Sequence, residues 1–314
     1  MEVDPSLTWL LVERGEARRQ ADQFGEAVAD YTAALEIDPS LTWALVQRGE
    51  ARRQADQFGE AVADYTAALQ QDPTDAVALG SRGQAHGQAG RFGEAVADLT
   101  AALEIDPSLT WALVQRGEAR RQADQFDEAV ADYTAALQQD PTDAVALGSR
   151  GQAHGQAGRF GEAVADYTAA LEIDPSLTWA LVERGEARRQ ADQFDEAVAD
   201  YTAALQQDPS APPVLALRGE AHRRAGRFGE AVADYTAALE VDPSLTWLLV
   251  ERGEAHRRAG RFGEAVADYT AALEIDPSLT WALVQRGEAH RQAGRFDEAV
   301  ADYTAALQQD PIDA

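Results

Sequence analysis

A 34-residue pattern recurs along the whole chain without an insertion or deletion, and nothing else in the sequence limits the possible folds as much. The pair Asp-Pro stands at Asp38-Pro39, Asp72-Pro73 and Asp106-Pro107, and continues at the same interval to Asp310-Pro311. Arg-Gly keeps the same period from Arg14-Gly15 to Arg286-Gly287. Nine units fit: 6–39, 40–73, 74–107, 108–141, 142–175, 176–209, 210–243, 244–277 and 278–311. A fixed period of this length means stacked supersecondary units, each able to bury its apolar face only against its neighbours. The 314 residues are therefore one array of small units and not two globular domains.

Each unit reads as two helices. From Phe58 the apolar positions Phe58, Ala61, Val62, Tyr65, Ala68 and Leu69 fall at offsets 0, 3, 4, 7, 10 and 11, one stripe of a 3.6-residue helix. Glu60, Asp64 and Gln70 form its polar face. The helix must stop at Asp72, because a residue before proline is pushed out of the α region. The first half, about Thr42–Gln54, is also expected to be helical, with Trp43, Leu45, Val46, Gly49 and Ala51 as its small and apolar positions. A glycine inside a helix costs roughly 1 kcal/mol against alanine, so Gly49 and its equivalents predict close approach of another helix backbone. The link Ala55-Asp56-Gln57 becomes Ala89-Gly90-Arg91 elsewhere. A middle residue that is either Asp or Gly predicts a left-handed turn. Two antiparallel helices per unit make a helical hairpin.

Gly49, Ala61, Tyr65, Ala68 and Pro73, with Leu45 at the first large apolar position, resemble the spaced signature of the tetratricopeptide repeat. The resemblance covers nearly all of residues 6–311. It implies an all-α, right-handed superhelical α-solenoid of helix-turn-helix hairpins. Two positions depart from the family. Arg48 stands where leucine is common before the glycine, and Arg52 or His86 replaces an aromatic three residues after it. Each such arginine has an aspartate 16 residues later, as in Arg48 with Asp64, Arg116 with Asp132 and Arg252 with Asp268. A partly buried arginine is costly without a carboxylate, so the two are expected to pair across the hairpin.

The resemblance also implies that ligand contacts come from the leading helices, which line the concave surface. Carried over by position, the expected groove residues are Trp9, Val12, Glu16 and Arg19; Trp43, Val46, Glu50, Arg53 and Gln54; Trp111, Val114, Glu118, Arg121 and Gln122; Trp179, Val182, Glu186, Arg189 and Gln190; and Trp247 and Trp281. Aromatic and arginine anchors suit a bound peptide. Two competing readings are that tryptophan packs on the preceding unit, and that Glu50 and Arg53, three apart on one helix, pair with each other. The alternation of tryptophan with valine (Val77, Val145) leans toward a ligand role, since a structural position would not obviously need both. In the seventh unit Pro212-Pro213 displaces tryptophan, which the first turn of a helix tolerates.

Composition narrows the function further. The net charge is −27, and the trailing helices carry no basic residue. Such an acidic outer skin keeps an array soluble and repels nucleic acid and anionic membranes, so neither is expected as a partner. There is no cysteine, hence no disulfide frame and no catalytic thiol. His86, His154, His222, His256 and His290 each stand alone on a helix, so packing is expected and no metal or other cofactor. Carboxylates that recur in every unit offer no special pocket, so no enzymatic activity is expected. No signal peptide or long apolar run is visible, and a cytoplasmic location is the expectation.

Residues 1–5 read as the tail of a preceding unit and 312–314 as the start of another. The chain is thus expected to be a segment of a longer array, and the resemblance implies a docking part of a larger bacterial protein. Its ends are expected to permit head-to-tail self-association, through Ala299, Val300, Tyr303, Ala306 and Leu307 against Trp9, Leu10 and Leu11 of another copy. A scaffold binding a protein or peptide segment is the leading reading. A self-stacking structural array and an engineered scaffold without a native ligand are the alternatives.

Overall fold

The computed structural model describes residues 5–309. Among these, all regular structure is helical, in eighteen helices. They form two compact units that part between Gly158 and Arg159. The first unit holds α1 (Pro5–Gln20), α2 (Phe24–Ile37), α3 (Thr42–Gln54), α4 (Phe58–Gln71), α5 (Ala76–Gln88), α6 (Phe92–Ile105), α7 (Thr110–Gln122), α8 (Phe126–Gln139) and α9 (Ala144–Gln156). The second holds α10 (Phe160–Ile173), α11 (Thr178–Gln190), α12 (Phe194–Gln207), α13 (Pro212–Arg224), α14 (Phe228–Val241), α15 (Thr246–Arg258), α16 (Phe262–Ile275), α17 (Thr280–Gln292) and α18 (Phe296–Gln309). The expected terminal remnants lie outside the described residues except for Pro5, which opens α1.

Within each unit the stacking is regular. A leading helix pairs with its trailing helix (α1 with α2, α3 with α4, α11 with α12, α13 with α14), and each trailing helix packs on the next leading helix. Consecutive leading helices also touch, as α1 with α3, α3 with α5 and α15 with α17. The leading helices thereby form the more closely spaced side of each unit. Trailing helices end where the pattern requires: Asp72 is extended ahead of Pro73, and its carboxylate accepts from the backbone N–H and hydroxyl of Thr74. The turn inside the hairpin is left-handed at either residue type, with φ of 58° at Asp56 and 73° at Gly90. Where Asp75 and Asp143 precede α5 and α9, each caps two backbone N–H groups.

The core is built from alanines and leucines and, in most trailing helices, one tyrosine. Ala61, Tyr65 and Ala68 are fully buried. The expected backbone approach at Gly49 is corrected here: what crowds the glycine is the Tyr65 ring. A Cβ there would lie 2.9 Å from Tyr65 Cε1. In the third repeat, where Leu99 replaces tyrosine, a Cβ on the glycine (Gly83) would lie 3.1 Å from the backbone oxygen of Ala95.

Asp64 does not belong to the polar outer face. It is buried and receives Arg48 Nε at 3.0 Å, Arg48 Nη2 at 2.6 Å and Arg52 Nη1 at 2.6 Å. Arg48 Nη1 also donates to Thr32 of the preceding repeat at 3.1 Å, so one guanidinium ties hairpin to hairpin. The same pairing joins Arg14 to Asp30, Arg82 to Asp98, Arg116 to Asp132, Arg184 to Asp200, Arg218 to Asp234, Arg252 to Asp268 and Arg286 to Asp302. Burial pushes Asp30 up, but the hydrogen bonds from Arg14 and Arg18 outweigh it and hold the carboxyl below its usual range.

Candidate functional site

The leading helices of the expected sets place one aromatic position near their first turn and three polar positions further along, as Trp43 with Glu50, Arg53 and Gln54. All six tryptophans, Trp9, Trp43, Trp111, Trp179, Trp247 and Trp281, are 37–58% exposed. Trp111 is the least exposed because its ring lies over Gly80 of the preceding leading helix, where any Cβ would collide with it. Trp179 meets Tyr167 edge-on, with ring centroids 6.5 Å apart. Gly80 thus makes room for the Trp111 ring, whereas Trp43 and Trp281 follow valines at the equivalent position, Val12 and Val250. The Trp111 and Trp179 rings are thus packed on one side while remaining partly exposed.

The valines behave differently. Val12 is buried, and Val46, Val114 and Val182 pack against the alanine–tyrosine core. Their side chains serve hairpin packing more than an open surface.

The charged positions form a closed network. Arg53 donates to Glu50 through Nε at 2.9 Å and Nη2 at 2.5 Å. Gln54 and the Tyr65 hydroxyl donate to the same carboxylate, at 2.8 Å and 3.2 Å. Arg53 Nη1 then reaches Gln88 of the next repeat at 3.1 Å. Glu16 with Arg19 and Glu118 with Arg121 and Gln122 repeat the arrangement, and Glu186 with Arg189 and Gln190 repeats its within-hairpin part. Burial raises Glu118, yet its bonds from Arg121 and Gln122 leave it below the ordinary range. Burial, reinforced by Glu50, pushes the Tyr65 phenol far up, so it stays a donor. The Tyr–Glu–Arg–Gln ladder, of which the sequence reveals only the Glu–Arg pair, orders this face without leaving an unpaired charge.

The ladder changes in the second unit. Arg224 and Arg258 stand where the other repeats have glutamine, and Pro213 stands where tryptophan would. Pro212 opens α13 in its first turn. A cavity of about 500 Å³ opens beside it, walled by Pro213, Ala216, Leu217 and Trp247 and edged by Arg189, Arg223 and Glu251. Arg223 bonds Glu220 and lies 3.4 Å from Glu251. Burial raises the Glu251 carboxyl above its usual range.

The histidines join the other network. His86, His222, His256 and His290 hold Nε2 3.7–3.8 Å from an aspartate that an arginine already binds. Burial lowers each below the ordinary histidine value. Among the described residues no group of His and carboxylates has the geometry of a metal site. Among them, too, no helix is long and apolar enough to cross a membrane.

Two family models, both described as tetratricopeptide repeat, match residues 10–41, 46–109, 114–177, 182–246, 217–280 and 250–314. The chain belongs to the tetratricopeptide-repeat family. Among solved structures it resembles a tetratricopeptide-repeat protein from Parabacteroides merdae, at 17% identity and a TM-score of 0.58, over 82% of this chain and 98% of that one. It also resembles YrrB, described as a TPR protein with an unusual peptide-binding site, at 20% identity, a TM-score of 0.50, and coverage of 58% and 93%. A third is MamA, at 19% identity, a TM-score of 0.51, and coverage of 53% and 91%. At these identities the likeness is one of fold. No curated protein matches the chain significantly.

Proposed function

We propose that this tetratricopeptide-repeat array is a non-catalytic scaffold that binds a peptide or extended protein segment along its leading helices. The observation that carries this reading is the cavity beside Trp247, where an open indole face meets the apolar wall of Pro213, Ala216 and Leu217. Its volume lies in the range of sites that enclose a ligand group. Arg189, Arg223 and Glu251 at the edge supply polar contacts of both signs. The peptide-binding site described for YrrB supports the reading by analogy of fold. Carboxylates that recur from repeat to repeat, such as Asp64 and Glu50, which arginines hold, give no basis for catalysis.

The test is selection of peptides from a random library, followed by Trp247→Ala. Truncating a central aromatic anchor is expected to weaken a selected peptide at least about tenfold, or about 1.4 kcal/mol. Unchanged affinity in Trp247→Ala overturns the placement. A self-stacking array is the second reading, favoured by exposed Phe296, Val300 and Leu307 on α18. It predicts association that tightens with salt, as screening relieves the repulsion of −27 charges per chain.

A further inference from the structure

The third and fifth repeats, residues 74–107 and 142–175, differ at a single position: Leu99 in one, Tyr167 in the other. Seven other tyrosines show what this position holds. Tyr31, Tyr65, Tyr133, Tyr201, Tyr235, Tyr269 and Tyr303 each lay the ring against the glycine of their own hairpin. Each phenol donates to the glutamate that follows that glycine, at 3.2–3.4 Å. Leu99 supplies neither the outer half of the ring nor the hydroxyl. The two residues that flank the ring elsewhere are also reduced here, glutamate to Gln84 and arginine to Gly87.

The helices close up but do not fill the gap. A Cβ on Gly83 would lie 2.8 Å from Leu99 Cγ and 3.1 Å from the Ala95 oxygen, so α5 and α6 already touch. A cavity of about 340 Å³ remains, with Gly83, Gly87, Phe92, Ala95 and Leu99 as its walls. Gln84, Gln88 and Gln115 line its polar side. These glutamines stand on the leading helices, so the cavity opens on the face assigned to the peptide.

We propose that this cavity is a binding pocket for a tyrosine side chain of the bound peptide, a partner-supplied copy of the ring that the third repeat lacks. The inference rests on the peptide reading above. The apolar walls suit a flat ring, and the fold itself places a tyrosine ring here in the neighbouring hairpins. A buried phenol needs a hydrogen-bond partner. Gln84 occupies the repeat position of Glu50, which accepts from Tyr65, and its amide oxygen is a hydrogen-bond acceptor. Tyrosine is therefore preferred to leucine or alanine in the peptide.

The probes are p-cresol and the peptide acetyl-Ala-Ala-Tyr-Ala-Ala-amide, read by methyl NMR of the full chain. Saturable shifts of the Ala95 and Leu99 methyls are expected, with none for the peptide in which alanine replaces tyrosine. Leu99→Tyr restores the sequence of the fifth repeat, fills the cavity, and is expected to abolish the Ala95 shift while raising Tm. Gly87→Leu is the second variant: a Cβ there would meet only Ala95 Cβ, at 3.7 Å, and the rest of the side chain is expected to close the pocket from the other wall. Failure of p-cresol to saturate in the unaltered chain, or equal binding in both variants, overturns the proposal. A tyrosine peptide that perturbs Trp247 but not Ala95 overturns it and leaves the peptide reading standing. Entry of p-cresol at Ala95, with no library peptide bound anywhere, overturns the peptide reading and with it the partner assigned here.

Discussion

The second and third repeats differ at most of the positions that face a ligand or a neighbour, yet they fold alike. Repeat two carries Trp43, Val46, Glu50, Arg52, Arg53, Asp56 and Tyr65, where repeat three has Val77, Gly80, Gln84, His86, Gly87, Gly90 and Leu99. Helices α3 and α5 are both 13 residues long, and α4 and α6 both 14. What the two repeats share is the partly buried arginine–aspartate pair, the alanines of the trailing helix and the aspartate–proline stop. The hairpin thus rests on a small common set, and the ladder on the leading helix can be dismantled without loss of fold. Binding variety is then expected on the leading helices and little on the trailing ones.

The largest expected effect tests that common set. Asp64 anchors two arginines, while Asp98 anchors Arg82 with His86 at 3.7 Å, too far for a hydrogen bond. Asp64→Ala leaves two partly buried cations without a partner and should cost roughly 3–5 kcal/mol. Asp98→Ala should cost less. Hydrogen exchange of α3–α4 and α5–α6 in the two variants measures both; equal losses would remove the distinction between the repeats.

Glycines come next. Gly49→Ala forces a methyl into the Tyr65 ring and should destabilise by about 1–3 kcal/mol. Gly87→Ala meets ordinary contact only, and should stabilise by roughly 0.5–1 kcal/mol through helix propensity. Denaturant midpoints decide the sign of each. Tyr65→Phe removes one hydrogen bond to Glu50 and should cost about 0.5–1.5 kcal/mol.

Smallest per residue is the response to pH, and it separates the repeats cleanly. Burial holds His86 below its ordinary value of 6.5, so the unfolded chain takes up this proton before the folded one does. Stability from this group is complete above 6.5 and is lost as pH falls from there toward the lowered folded value. Repeat two has Arg52 at this position and no group titrating near neutrality there. His86→Gln should flatten the slope for α5–α6 in pH-dependent hydrogen exchange and leave α3–α4 unchanged.

The hairpins were legible in the sequence because period, proline and the Asp-or-Gly turn all act locally. The arginine–aspartate pair was legible too, since a charge repeated inside an apolar pattern demands a partner. What escaped were contacts set by shape across the hairpin or between hairpins. Gly49 signals that something comes close, but the sequence does not say that it is the Tyr65 ring. Val46 and Trp43 sit three apart on one helix, yet one turns to the core and the other stays half exposed. The size match of Gly80 with Trp111 spans two repeats and emerges only once the helices are stacked. The cavity at Leu99 is visible in the sequence as a single substitution, though its meaning depends on what the tyrosine does elsewhere.

The central claim is that peptide binding belongs to the leading helices. It is tested most directly by hydrogen–deuterium exchange of the chain with and without a library-selected peptide. The account predicts added protection in leading helices, such as α13 and α15 around Trp247 or α5 and α7 around Gln84, with trailing helices unchanged. Protection confined to trailing helices such as α14 and α16 would contradict it.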